Sequence, residues 1–170
     1  MNRLCSLFAM ALCSVLFAGD VPVTVEGIPL IFGGNTYGQA NVPAGVANVS
    51  MISVKNHAVA LTTDGTVTAW GRNLEGQCNV PAGLSGVIAI ATGAEHTLAL
   101  KSDGTVVAWG GNISGECNVP ADLRGVIAID AGYSWHTGVF GGDIVENQGF
   151  SAALKSDGTV VVWGANPFGQ

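Results

Sequence analysis

Short apolar runs and turn signals alternate along this chain with a period near 40 residues, and the same pairs return in each period. Val87-Ile88-Ala89-Ile90 is an apolar run rich in β-branched residues that stops at Gly93. A second run spans Thr97 to Lys101, and a third, Thr105 to Trp109, follows Asp103-Gly104. Runs of four to six residues bounded by Gly, Asn and Pro are strand-length, and β-branched and aromatic residues favour a pleated surface. Asp-Gly between two such runs predicts a hairpin with a two-residue type I′ turn, because both central residues need positive φ. Asn112 is predicted to bond its own backbone in an Asx-turn, Gly115 permits a further reversal, and Pro120 lacks the N–H a central strand requires.

The unit recurs. Asp64-Gly65, Asp103-Gly104 and Asp157-Gly158 match, as do Trp70, Trp109 and Trp163, each followed by glycine. Asn-Val-Pro appears at 41–43, 79–81 and 118–120. The first two tryptophans lie 39 residues apart and the next two 54, so the third unit carries 15 extra residues. A repeat at this spacing means small sheets that cannot bury their apolar faces alone and must stack, with Trp109 large enough to fill a junction. Three clear strands per unit are expected, with a fourth short one near Asn-Val-Pro. The predicted divisions are a degenerate hairpin at 20–34, units at 35–71, 72–110 and 111–164, an insertion at 134–149, and the opening of a further unit at 165–170. In the degenerate hairpin Glu26-Gly27 falls on Asp-Gly and Phe32-Gly33 on Trp-Gly. Of two candidates for the third unit's second strand, 150–154 is preferred to 136–140 because it runs directly into Lys155-Ser156-Asp157-Gly158. The other run is then a projecting loop or extra hairpin.

Residues 1–19 read as a secretory signal peptide, with Arg3 before an apolar stretch from Leu4 to Ala18. Cleavage there makes the mature chain secreted, periplasmic or surface-located and free of the membrane. Composition agrees with an all-β chain: 25 glycines, 11% charged residues and few helix formers. A net charge of −6 argues against a nucleic-acid partner. Cys78 and Cys117 sit at equivalent places in successive units, further apart than a disulfide is expected to reach, and read as small thiols.

The run from Ala91 to Gly115, followed by Glu116, reads AxGxxHTLALKSDGTVVAWGxNxxG with Glu in place of a closing Gln. It resembles the regulator-of-chromosome-condensation repeat family, and the resemblance spans about residues 21–170. It implies a β-propeller of small antiparallel blades. At this period a seven-bladed ring needs about 270 residues, so the units here imply a partial ring that is a fragment, closes as a smaller ring, or self-associates. The founding member is a nuclear guanine-nucleotide exchange factor. The Asn-Val-Pro variant with a signal peptide is more similar in style to secreted bacterial members. The residues that match are scaffold, so no exchange-factor residue carries over.

No catalytic constellation emerges. His57 and His96 recur once per unit with no second ligand at metal spacing, which favours structural hydrogen bonding. Asp64, Asp103 and Asp157 are turn residues. Asp143, Glu146 and Asn147 offer oxygens for calcium, but Val145 and Gln148 break the loop pattern. Serines 85, 114 and 134 lack a nucleophile elbow. Asn48 and Asn112 begin glycosylation sequons. Trp135 is the one tryptophan outside the scaffold, beside His136 and Phe140 and followed by Asp143 and Glu146. Aromatic anchors with an acidic rim on a loop suit recognition. The sequence therefore predicts a secreted, non-enzymatic module with no cofactor and no metal, binding a protein through Trp135, His136, Phe140, Asp143 and Glu146. A GTPase exchange factor, or an enzyme with its site in the propeller mouth, is the alternative.

Overall fold

The computed structural model describes residues 23–25, 28–31, 33–134, 139–140, 143–144 and 148–165. The signal segment, Trp135, His136 and Glu146 lie outside the described residues. Every regular element described is a strand. Strands β1 (Val23–Val25) and β2 (Ile28–Leu30) pair antiparallel. Three three-stranded antiparallel sheets follow. The first is β3 (Val49–Val54), β4 (His57–Thr62) and β5 (Val67–Gly71). The second is β6 (Val87–Thr92), β7 (His96–Lys101) and β8 (Val106–Gly110). The third is β9 (Val126–Ser134), β12 (Gln148–Lys155) and β13 (Val160–Gly164). Between β9 and β12 a short ladder joins β10 (Val139–Phe140) to β11 (Asp143–Ile144). So 150–154 lies inside the second strand of the third sheet, and part of the competing run forms an extra hairpin.

Three local expectations are corrected. The Asp-Gly turns are not type I′, since only the glycines have positive φ (Gly65 86°, Gly104 76°, Gly158 85°). Gly104 N bonds Lys101 O at 2.9 Å and Lys101 N bonds Thr105 O at 2.9 Å. This is a three-residue loop, a type I turn closed by a glycine bulge. The aspartate stays right-handed and turns its carboxylate back, so that Asp103 Oδ1 accepts from Thr105 N at 3.0 Å. The Thr105 hydroxyl, then the Thr105 N–H and Lys101, hold the exposed Asp103 carboxyl down at about 2, and the Thr159 N–H with Lys155 does the same for Asp157. Second, Asn112 makes no Asx-turn; its Oδ1 accepts from Cys117 N at 2.8 Å, five residues on. Third, no strand forms at Asn-Val-Pro. There the asparagine is a clasp: Asn35, Asn73 and Asn112 donate through Nδ2 to Asn41, Asn79 and Asn118.

The sheets stack face to face in an open series. Val59 and Leu61 of the first sheet meet Val87, Ile90, Ala99 and Trp109, with Val80 and Leu84 of the connecting loop closing the edge. Leu100 meets Leu123, Val126 and Ala153 in the same way. Ile31, Val42 and Val46 cover Trp70, Ala58 and Ala60. Leu98 and Leu100 are 0% and 1% exposed, and each such side chain contributes about 1.5–3 kcal/mol by leaving water. A bulge near the start of each first strand explains two odd residues. Ile88 and Ile127 are exposed because they are the extra residue that the ladder skips.

Candidate interaction face

The junctions are fixed by main-chain oxygens. Gln39 O, Gln77 O and Glu116 O accept the indole N–H of Trp70, Trp109 and Trp163, each from the following sheet, at 2.9–3.0 Å. Two of these carbonyls take a second donor: Thr97 Oγ1 to Gln77 O at 3.0 Å, and Ser151 Oγ to Glu116 O at 2.7 Å. Because each hydroxyl proton is committed there, the neighbouring imidazole donates. His57 Nε2–H reaches Thr97 Oγ1 (2.8 Å) and His96 Nε2–H reaches Ser151 Oγ (3.0 Å). Both rings are fully buried with Nδ1 unpartnered. Burial lowers His57 to about 3, helped by nearby His96 and Arg72, and lowers His96 to about 4. Glycine makes room for the rings. A Cβ at Gly93 would fall 2.2 Å from the His96 ring, and one at Gly132 2.2 Å from Phe150, which replaces histidine in the third sheet.

At the end of the stack opposite the Asp-Gly turns, the connecting loops and the insertion share one face. Arg72 N bonds Asn56 O, Gly111 N bonds Glu95 O, and Ala165 N bonds Gly149 O, so each loop leaves beside the start of its sheet's middle strand. Arg72 bridges Glu75 and Glu95, each at 3.0 Å, and Tyr37 lies 5.9 Å from its guanidinium. Lys55, between β3 and β4, stands 5.8 Å from the ring of Tyr133 in the third sheet. Leu74 and Ile113, at equivalent loop apices, are each 80% exposed, and Tyr37 is 47% exposed. The insertion rises from this same end, because β9 and β12 stay paired as far as Ser134 and Gln148.

Among the described residues no group of three His, Cys, Asp or Glu is placed to hold a metal, and no helix is long and apolar enough to cross a membrane. The thiols of Cys78 and Cys117 are free, and each Sγ donates to a loop carbonyl, of Arg72 and Gly111. Burial raises both, and with Glu116 adjacent Cys117 is pushed up to about 12, which makes it a poor nucleophile.

Three segments match the model of the regulator of chromosome condensation (RCC1) repeat, at residues 53–77, 87–116 and 147–170. These are RCC1 repeats. Solved structures share the fold. Prp20p of Saccharomyces cerevisiae, described with its binding to Gsp1p and histones, superposes with a TM-score of 0.60 at 19% identity, over 80% of this chain and 41% of Prp20p. The same yeast protein bound to Kap60 gives 0.62 at 20%, over 81% and 40%. Human WBSCR16 gives 0.57 at 22%, over 88% and 46%. The chain thus spans less than half the length of these structures. Among curated protein sequences none matches.

The matched segments take in Trp70, Trp109, Trp163, His57, His96 and the turn aspartates, whereas Trp135 and His136 lie outside them. Of the five residues predicted to bind a partner, Phe140 and Asp143 are Cα partners across the β10–β11 ladder. Trp135, His136 and Glu146 lie outside the described residues. Leu74 and Ile113 were missed. Their signal was an apolar residue after asparagine in a loop otherwise polar, present in two successive repeats.

Proposed function

We propose that this chain is a secreted, non-enzymatic protein-interaction module that binds its partner through the insertion-bearing end of the repeat stack. The observation that carries the reading is a coincidence of place. The insertion starts, at the paired residues Ser134 and Gln148, from the same end of the stack as Leu74 and Ile113. Exposed apolar side chains around a polar cluster, on loops fixed by a rigid scaffold, suit a protein surface better than a small-molecule cleft. Protein binding by other proteins of this fold supports it, since Prp20p binds Gsp1p, histones and Kap60. The test is cross-linking capture from the native secretion medium. The intact chain is compared with one whose residues 135–147 are replaced by a short turn and with a Leu74→Ser/Ile113→Ser double variant. A partner retained by the intact chain and lost from both variants supports the reading. Equal capture by all three rejects it.

A further inference from the structure

Glu116 breaks the repeat at a buried position. Gln39 and Gln77 stand in the same place, each accepting a loop N–H through Oε1, from Tyr37 and Glu75. Glu116 Oε2 accepts from Ser114 N at 2.8 Å in the same way. Its surroundings differ. The residue before the ring-bearing position is Glu95 in the second sheet and Gly149 in the third, by the pairing of His96 with Gly110 and of Phe150 with Gly164. Gly111 stands where the first junction has Arg72. So the first junction holds an amide beside an Arg72–Glu95 pair, while the second holds a lone carboxyl, 2% exposed, against a bare glycine. A Cβ at Gly149 would lie 2.9 Å from Glu116 Oε1.

Gly149 is also the root of the insertion, paired with Tyr133 across β9 and β12. Among the described residues, the titratable and charged groups around Glu116 are few. Glu95 lies on the β6–β7 turn, and Cys117 is the next residue. His96 on β7 reaches the Glu116 carbonyl through Ser151, and Tyr133 stands opposite Gly149. No ion pair among the described residues includes Glu116, and the nearby Arg72 is engaged by Glu75 and Glu95.

We propose that Glu116 is a proton-operated latch at the root of the insertion. When protonated it behaves as the glutamines of the other repeats do and holds Gly149 and the β9–β12 root closed. When ionised it draws water into the junction and loosens that root. Burial, and the like charge of Glu95, raise its carboxyl above the usual range. The folded state therefore holds the proton longer than the unfolded one. The stabilisation is present at low pH and lost as pH rises through the raised value. The latch does not depend on what the insertion binds.

Hydrogen–deuterium exchange on the intact chain across the acid-to-neutral range tests this without any partner. Protection at 132–134 and 148–150, taken relative to β8, which carries no titratable side chain, is expected to fall as pH rises, about tenfold for each unit by which the two states' pKa values differ. Glu116→Gln, which uses the residue already present at 39 and 77, is expected to abolish the fall and stay closed at neutral pH. Gln77→Glu, whose carboxylate would stand beside the Arg72 guanidinium, is expected to create no such fall at 56–57 and 95–96. A wild-type profile retained by Glu116→Gln overturns the proposal, as does loosening spread evenly over β8.

Discussion

Gly93 and Gly132 each give up a side chain to a ring, and this is where single substitutions act most sharply. Neither has positive φ, so the requirement is for space. Gly93→Ala is expected to push His96 off Ser151 and cost about 1–3 kcal/mol, the range for overpacking, read by chemical denaturation. Trp109→Phe removes the indole donor from Gln77 O and leaves Thr97 alone there. Loss of the bond and some packing is expected to cost about 1–3 kcal/mol on the same measurement. The imidazoles set the acid limit. Both folded values lie below 6.5, so the unfolded chain takes up protons first as pH falls. Stability held above pH 6.5 should drain away between there and about 4 and 3. A His96→Gln variant should show a shallower acid slope in thermal melts, and an unchanged slope would contradict the assignment.

The hairpins were legible at the scale of the element because Asp-Gly, Trp-Gly and the β-branched runs are local signals. The turn type was not. Asp-Gly serves a two-residue and a three-residue loop alike, and the outcome rests on which neighbours pair across it, here Lys101 with Thr105. Nor were the junctions legible in detail. Their acceptors are the main-chain oxygens of Gln39, Gln77 and Glu116, which leave no mark on residue type. Only the donors Trp70, Trp109 and Trp163 show in the sequence, and they read simply as bulk. The candidate face was half legible: the insertion declared itself by length, whereas Leu74 and Ile113 passed as ordinary loop residues. The extra hairpin is attached by strand ends beyond the common core, so replacing 135–147 by a short turn should change the melting temperature little. A collapse of the second and third sheets would show the insertion to be scaffold.

At the scale of the whole molecule, the outer face of the third sheet is the less buried one among the described residues. Leu98 and Leu100 are sealed by the third sheet, while their counterparts Ala152 and Leu154 are half-buried and Val160 and Val162 are 62% and 41% exposed. An apolar sheet face of this kind drives association. Light scattering on the purified chain should show a mass that rises with concentration, and Val160→Asp with Val162→Asp should hold it monomeric. The opposite ends of the stack also differ in kind. One carries three self-satisfied Asp-Gly turns; the other carries Leu74, Ile113, Tyr37, the Arg72 cluster and the insertion. The account stands on the second being the recognition surface. The most direct measurement is a hydrogen–deuterium exchange footprint of the chain bound to its captured partner. Protection is predicted at 36–38, 73–75, 112–114 and 139–144. Protection centred on 63–66, 102–105 and 156–159 would contradict it.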